Sequence, residues 1–209
     1  MEDESLIVIF TENNMLYTGI SSSLSKNECV NVRHGQNLLP KTIINASRIK
    51  LIIDCQIYLK GISPTFNMII ENKSITSIFW LTNGITGNVF PTHTGVNYLI
   101  DSRTDILSFR NTLEIDTKTS IVNKKITIAK SVDLTLKERH LLIYFLSLKD
   151  MHLISKISHI TIKTLYQHRN NIMKKMGFRQ FCYLAFIYKK NIGLFTSEVI
   201  GSLQTTSEI

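Results

Sequence analysis

The sequence predicts two folded parts of different class. An α/β domain, a parallel sheet with flanking helices, spans residues 1–116; an all-α domain of four helices spans 133–195, with a linker over 117–132 and a tail over 196–209. Three observations predict this. In the first part, near-continuous apolar runs such as Leu6-Ile7-Val8-Ile9-Phe10 and Leu51-Ile52-Ile53 alternate with segments of helical character, as strands buried on both faces do. Beyond Leu134 the apolar residues recur at helical spacing throughout. Finally, basic charge is concentrated: between Lys137 and Lys190 eleven Lys and Arg stand against two acids, Glu138 and Asp150, whereas residues 1–130 hold thirteen bases against eleven acids.

In chain order, Leu6–Phe10 is the first strand, Leu16–Leu24 a helical segment, Ile49–Ile53 and Ser77–Leu81 two further strands, and Tyr98–Ile100 a last strand before a helical Thr104–Ile115. Thr117 to Val132, rich in Thr, Ser, Asn and Lys, keeps no helical period and reads as a linker. The first helix of the basic part opens with Thr135-Leu136-Lys137-Glu138, the spacing at which a Thr hydroxyl and a Glu carboxylate satisfy each other's exposed backbone donors. Its expected apolar face is Leu136, His140, Leu141, Ile143, Tyr144 and Leu148. A second helix over Met151–Ser158 turns at His159-Ile160 into a third, capped by Thr161 and running Ile162–Met176, which is a helix-turn-helix arrangement. Gly177 stops the third helix, and Phe178–Lys190 forms a fourth with Phe181, Leu184, Ala185 and Tyr188 on one side.

The bulk properties exclude several classes. At 209 residues and 44% hydrophobic, the chain can bury a substantial core. The acidic start Met1-Glu2-Asp3-Glu4-Ser5 and the absence of any apolar run near the roughly 18 residues of a membrane span predict a cytoplasmic protein with no membrane partner. Cys29, Cys55 and Cys182 are odd in number and scattered, so buried free thiols are expected rather than a disulfide framework or a metal site. His152, His159 and His168 lack carboxylate or cysteine companions, and no Gly-rich phosphate loop or nucleophile elbow is present. No catalytic residue, metal or cofactor is expected, and the chain reads as a non-enzyme.

The third helix carries the chemistry of recognition. Leu165, Ile172 and Met176 make a narrow apolar stripe, joined by His168 or Met173. The opposite face offers Lys163, Tyr166, Gln167, Arg169, Asn170 and Lys174, and no acid occurs between Asp150 and Glu198. Cations neutralise phosphates, while Gln and Asn pair bidentately with adenine in the major groove. A merely solvated helix face more often mixes Glu with Lys.

Read together, Leu134-Thr135-Leu136-Lys137-Glu138, Ile154-Ser155, the run Ile160 to His168 and Lys175-Met176-Gly177 resemble the DNA-binding domain of LuxR/FixJ/NarL-type transcription regulators over about a quarter of the chain. The resemblance implies that Tyr166, Gln167 and Asn170 face base edges, and that Thr161, Lys163, Thr164, Arg169, Lys174 and Lys175 meet the DNA backbone. It implies double-stranded DNA as partner and dimerisation through Phe181, Leu184, Ala185 and Tyr188, either as a homodimer or as a heterodimer with another LuxR-type regulator. Ser158 departs from the family, which has Leu there, and no Gly occupies the first inter-helix turn.

The first part resembles a response-regulator receiver. Asp54, after Leu51-Ile52-Ile53, sits at the phosphorylated aspartate, and Thr82, after Phe79-Trp80-Leu81, at the switch hydroxyl. The expected acidic pair is Thr11-Glu12, and Asp101 stands where the family carries Lys. Phosphoryl transfer to a carboxylate needs a magnesium ion held by several carboxylates and a cation to offset the developing charge. Asp54, Thr82 and Glu12 are therefore expected to be vestigial, in a degenerate, phosphorylation-independent receiver like those of RcsA-like auxiliary regulators. The alternative is a modulator that acts mainly by pairing with or sequestering another regulator. An autoinducer-binding first domain fits poorly, because those domains carry several aromatic residues around an acid and Trp80 is the sole Trp.

Overall fold

The computed structural model describes residues 5–24, 28–90, 96–114, 127–128, 133–148 and 150–192. These fall into two compact units, one of residues 1–83 with 93–129, the other of 84–92 with 130–209. The expected linker lies outside the described residues except for Thr127 and Ile128, and the expected tail lies outside them altogether.

The first unit is built on a six-stranded sheet. Its strands are β1 (Leu6–Phe10), β2 (Cys29–Val32), β3 (Ile49–Asp54), β4 (Ile75–Thr82), β5 (Val96–Asp101) and β6 (Thr127–Ile128), in the order β2-β1-β3-β4-β5-β6. The first five run parallel; β6 lies antiparallel to β5, pairing Tyr98 with Ile128. Alternate residues serve opposite faces. Ile7, Ile9, Ile52, Phe79 and Ile100 pack beneath α1 (Asn14–Ser23) and α4 (Ile106–Glu114), through Ile20, Phe109 and Leu113. On the other face Phe10 and Trp80 meet Phe66 of α3 (Pro64–Ile70), with ring centroids 5.8 and 6.5 Å apart. The sheet is thus covered on both sides, which is why its strands read as unbroken apolar runs.

Besides β6, which falls within the expected linker, four elements of this unit were not foreseen. Asn31 interrupts β2, whose residues are only half-buried apart from Val32. A four-residue helix, α2 (Lys41–Ile44), and a 3-10 turn, Cys55–Leu59, are too short to show a period. Helix α3 is announced locally by Ser63, whose hydroxyl accepts from the Phe66 amide, and by Pro64 in its first turn.

The second unit holds α5 (Leu136–Ser147), α6 (Met151–Ser158), α7 (Ile162–Lys175) and α8 (Phe181–Lys190), at nearly the expected bounds. Thr135 and Glu138 form the expected capping box. The buried face of α5 differs from expectation: Glu138, Leu141, Leu142 and Phe145 point inward, while Leu136 and His140 are exposed. Drawing Glu138 into the core rotates the helix by about one position relative to a purely apolar stripe.

Helix α7 ends in a Schellman motif. The Phe178 amide donates to the Met173 carbonyl at 2.9 Å and the Gly177 amide to Lys174 at 3.2 Å, with Gly177 at φ +74°. Residues 84–90, from the middle of the chain, complete this unit: the Asn88 amide donates to the Met176 carbonyl at 2.8 Å and the Arg179 amide to the Gly84 carbonyl at 2.9 Å. Gly87, at φ +65°, lies so close to the Phe178 ring that no side chain fits there. Of the three free thiols only Cys55 is buried; Cys182 is exposed on α8, where the helical period turns it outward.

Candidate nucleic-acid interface

The turn between α6 and α7 is fixed by local polar contacts. Asp150 caps α6 through the His152 amide at 2.8 Å, and His159 ends it in the left-handed region at φ 53°. His tolerates that conformation better than bulky residues do. The Ser155 hydroxyl donates to the Ile160 carbonyl and the Ser158 hydroxyl to the Ile154 carbonyl, at 2.6 and 2.7 Å. Ser158 is thereby satisfied where an apolar residue was expected. Thr161 caps α7 through the Thr164 amide at 3.3 Å, with the two hydroxyls 2.9 Å apart.

Leu165, Ile172 and Met176 are buried as expected, with Ile162, His168 and Met173 half-buried beside them. Tyr166, Gln167 and Asn170 are exposed on one face, flanked by exposed Lys163 near the start and Lys174 near the end. Thr161 is exposed and Thr164 half-buried. The structure therefore brings the three expected base readers together and brackets them with positive charge.

Two cations on this helix have partners within the unit. Lys175 Nζ lies 2.7 Å from Glu138 Oε2, which also accepts from the Thr135 amide and hydroxyl at 2.9 and 3.1 Å. Burial alone raises the Glu138 carboxyl, but the Lys175 ammonium and the two Thr135 donors outweigh it and hold the group below its ordinary value. Arg169 is half-buried, its guanidinium 4.7 Å from the Tyr166 ring centre and 5.3 Å from that of Phe181. Sequence reading missed both partnerships, although Glu138 in its capping box was visible; neither the pairing of Lys175 with Glu138 across 37 residues nor the contact of Arg169 with the Phe181 ring is encoded locally.

On α8, Leu184 is fully buried inside the unit, Phe181, Ala185 and Tyr188 are half-buried, and Phe186 is 46% exposed. The expected apolar side of α8 thus serves first as core, and Phe186 is the large apolar residue left facing outward.

In the first unit, Asp54 ends β3 beside Leu81 of β4, and Thr82 ends β4 beside Asp101 of β5. This carboxyl edge is where open parallel sheets place their ligands. Its polar groups are engaged with one another. Asp54 is 7% exposed and accepts from the Thr11 hydroxyl and the Gln56 amide, both at 3.0 Å. Burial pushes its carboxyl up, with those two donors drawing it partly back. Glu12 accepts from Lys60 at 3.0 Å and from the His34 amide at 2.7 Å, and the Lys60 bond leads in holding its carboxyl down. The Thr82 hydroxyl donates to the Ile100 carbonyl at 3.4 Å, and Asp101 pairs with Arg103 at 3.1 Å. Among the described residues no cluster of three metal-ligating side chains forms. No helix among them is long and apolar enough to cross a membrane.

A receiver-like parallel sheet and a four-helix helix-turn-helix unit together define a chain with the fold of a full-length response regulator, as the sequence predicted. No protein-family model and no curated protein matches the chain. Solved structures do. A complex of the two-component response regulator RcsB with DNA is similar at 16% identity and TM-score 0.56, over 90% of this chain and 98% of that one. RcsB from Salmonella enterica serovar Typhimurium, bound to promoter P1flhDC with the phosphomimetic BeF3-, is similar at 15% identity and TM-score 0.57, over the same shares, 90% and 98%. A structure of two RcsB dimers bound to two parallel DNAs has TM-score 0.52 at 16% identity. At such identities the likeness is one of fold.

Proposed function

We propose that the chain is a transcription regulator that binds promoter DNA and reads it in the major groove with α7. Tyr166, Gln167 and Asn170 contact bases; Thr161, Lys163, Thr164 and Lys174 contact the backbone, and Lys175 does so while shared with Glu138. One observation carries this reading: the outward face of α7 gathers the three readers between exposed Lys163 and Lys174, with no acid among them. The DNA complexes among the similar structures support it.

The chain acts without phosphorylation and without catalysis, in the cytoplasm, as a dimer, since one such helix reads only a half-site. What supports phosphorylation independence is the carboxyl edge of the sheet, where Asp54 is occupied by Thr11, Glu12 by Lys60 and His34, and Asp101 replaces the cation that phosphoryl transfer requires. Dimer contacts involve α8, through Phe181, Ala185 and Tyr188 around exposed Phe186, with Leu184 supporting them from the core. Phe186 equally favours a second reading, an auxiliary modulator that acts by pairing with another regulator of this type.

A salt-series gel shift on promoter fragments with non-specific competitor separates the two. Under the first reading Gln167→Ala and Asn170→Ala each lose about 1–3 kcal/mol of specific binding with circular dichroism unchanged. Lys163→Ala weakens binding to all sequences alike and lowers the salt slope by about one unit. If only Phe186→Ser matters, the modulator reading replaces the first.

A further inference from the structure

We propose that Arg169 is a positioning residue for base reading: its guanidinium, which lies over the rings of both Tyr166 and Phe181, holds the Tyr166 side chain in place and does not contact phosphate. This rests on α7 being the recognition helix.

A chain of ring and cation contacts runs from core to surface. Phe145, buried in α5, meets Phe181 edge-on at 6.2 Å and 82°. Phe181, at the start of α8, meets the Arg169 guanidinium at 5.3 Å, and Arg169 meets the Tyr166 ring at 4.7 Å. Tyr166 precedes Arg169 by three positions on α7, so the two side chains are neighbours on the helix surface. Tyr166 is itself 43% exposed, and the Arg169 guanidinium is the cation against its ring.

The bonding of Arg169 is consistent with a stacking role. Its Nε is buried with no hydrogen-bond partner among the described residues. A planar guanidinium engages aromatic rings on both of its faces, which an ammonium cannot do. A cation over a ring favours the stacked arrangement by roughly 2- to 30-fold, depending on desolvation. That is enough to keep an exposed tyrosine largely in one rotamer and spare the reader an ordering cost at the moment of binding. A phosphate contact, by contrast, requires charge at the surface, and Lys would supply it as well.

The test therefore uses Arg169→Lys, which keeps the charge and removes the planar guanidinium that both rings meet. The probe is a duplex selected from a random-sequence pool by the wild-type protein, compared with a scrambled duplex over a salt series. The expected result is about a ten-fold loss of specific affinity, unchanged affinity for the scrambled duplex, an unchanged salt slope, and relaxed preference at the base pair that also relaxes in Tyr166→Ala. Arg169→Lys combined with Tyr166→Ala should bind no more weakly than Tyr166→Ala alone. Wild-type affinity in Arg169→Lys overturns the proposal, as does a slope reduced by one unit in Arg169→Gln, or additivity in the double variant. A parallel loss on both duplexes with a lowered melting temperature marks a purely structural role and also overturns it. Failure of the wild-type protein to select any duplex overturns the reading of α7, and this assignment with it.

Discussion

Replacing Glu138 by Gln removes a charge from the one buried carboxylate among the described residues of the helical unit. The side chain is 7% exposed, and its Oε2 takes three donors: the Thr135 amide, the Thr135 hydroxyl and the Lys175 ammonium. Gln keeps one acceptor oxygen at the same reach, so part of the capping box survives; loss of a full cap costs about 1 kcal/mol. The charge-assisted share of the remaining bonds adds about 1–2 kcal/mol. Lys175 is 40% exposed and regains water when released, so its half of the ion pair is discounted. The expected destabilisation is about 2 kcal/mol. With a urea slope of about 2 kcal/mol/M the midpoint falls by about 1 M. Trp80 belongs to the first unit, so the transition is followed by far-UV circular dichroism, to which α5 to α8 contribute more than the helices of the first unit do. Because the folded Glu138 carboxyl is held below its ordinary value, its stabilisation is present above pH about 4.3 and is lost as pH falls through the depressed value. Wild type and Glu138→Gln should therefore converge in acid. An unchanged midpoint at neutral pH, or a deficit that persists undiminished in acid, refutes the reasoning.

Two further outcomes follow from single positions. Gly177→Ala should destabilise the helical unit by about 1–2 kcal/mol through the left-handed φ of +74°, and by more because the new methyl meets the Asn88 side chain at 2.6 Å; thermal unfolding of Gly177→Ala with and without Asn88→Ala separates the two contributions. Asp54→Asn should leave promoter binding unchanged, and acetyl phosphate should not label Asp54 in the wild-type protein. Since burial raises the folded Asp54 carboxyl, its stabilising share is present below the ordinary carboxylate value and is lost as pH rises through the raised one, so Asp54→Asn should be no less stable than wild type at pH about 7. A clear loss of stability there would show that the Thr11 and Gln56 bonds dominate.

The helical unit was nearly all legible because its signals are local. Thr135 with Glu138, Thr161 and Gly177 mark helix ends within a few residues of themselves, and each occupies the predicted position, while Asp150 caps α6 without having been expected to. The central strands β1, β3 and β4 were legible because double-sided burial writes a continuous apolar run. What the sequence hid depends on distant partners: Asn31 makes β2 unremarkable until it pairs with β1, and α2 spans a single turn. The contribution of residues 84–90 to the helical unit was hidden for the same reason: the sequence reading left them inside the first domain, and Gly84, Gly87 and Asn88 carry no local sign of their partners. At the candidate interface, exposure of Tyr166, Gln167 and Asn170 follows from helical period alone. The pairing of Lys175 with Glu138 crosses 37 residues and has no local signature.

That distinction changes what the basic charge means. Eleven Lys and Arg between Lys137 and Lys190 suggest a large number of phosphate contacts, yet Lys175 is held by Glu138, Arg169 lies over the Tyr166 and Phe181 rings, and Arg139 Nε donates to the Leu134 carbonyl at 3.1 Å. On α7 this leaves Lys163 and Lys174 as the exposed cations beside the readers. Long-range attraction responds to total charge whether or not a given cation is paired. The salt slope counts only contacts made, at about −0.9 per neutralised phosphate. A chain organised in this way should approach DNA faster than its contact number implies, and should owe its affinity for the right sequence to the few side chains on α7 that remain free to reach it.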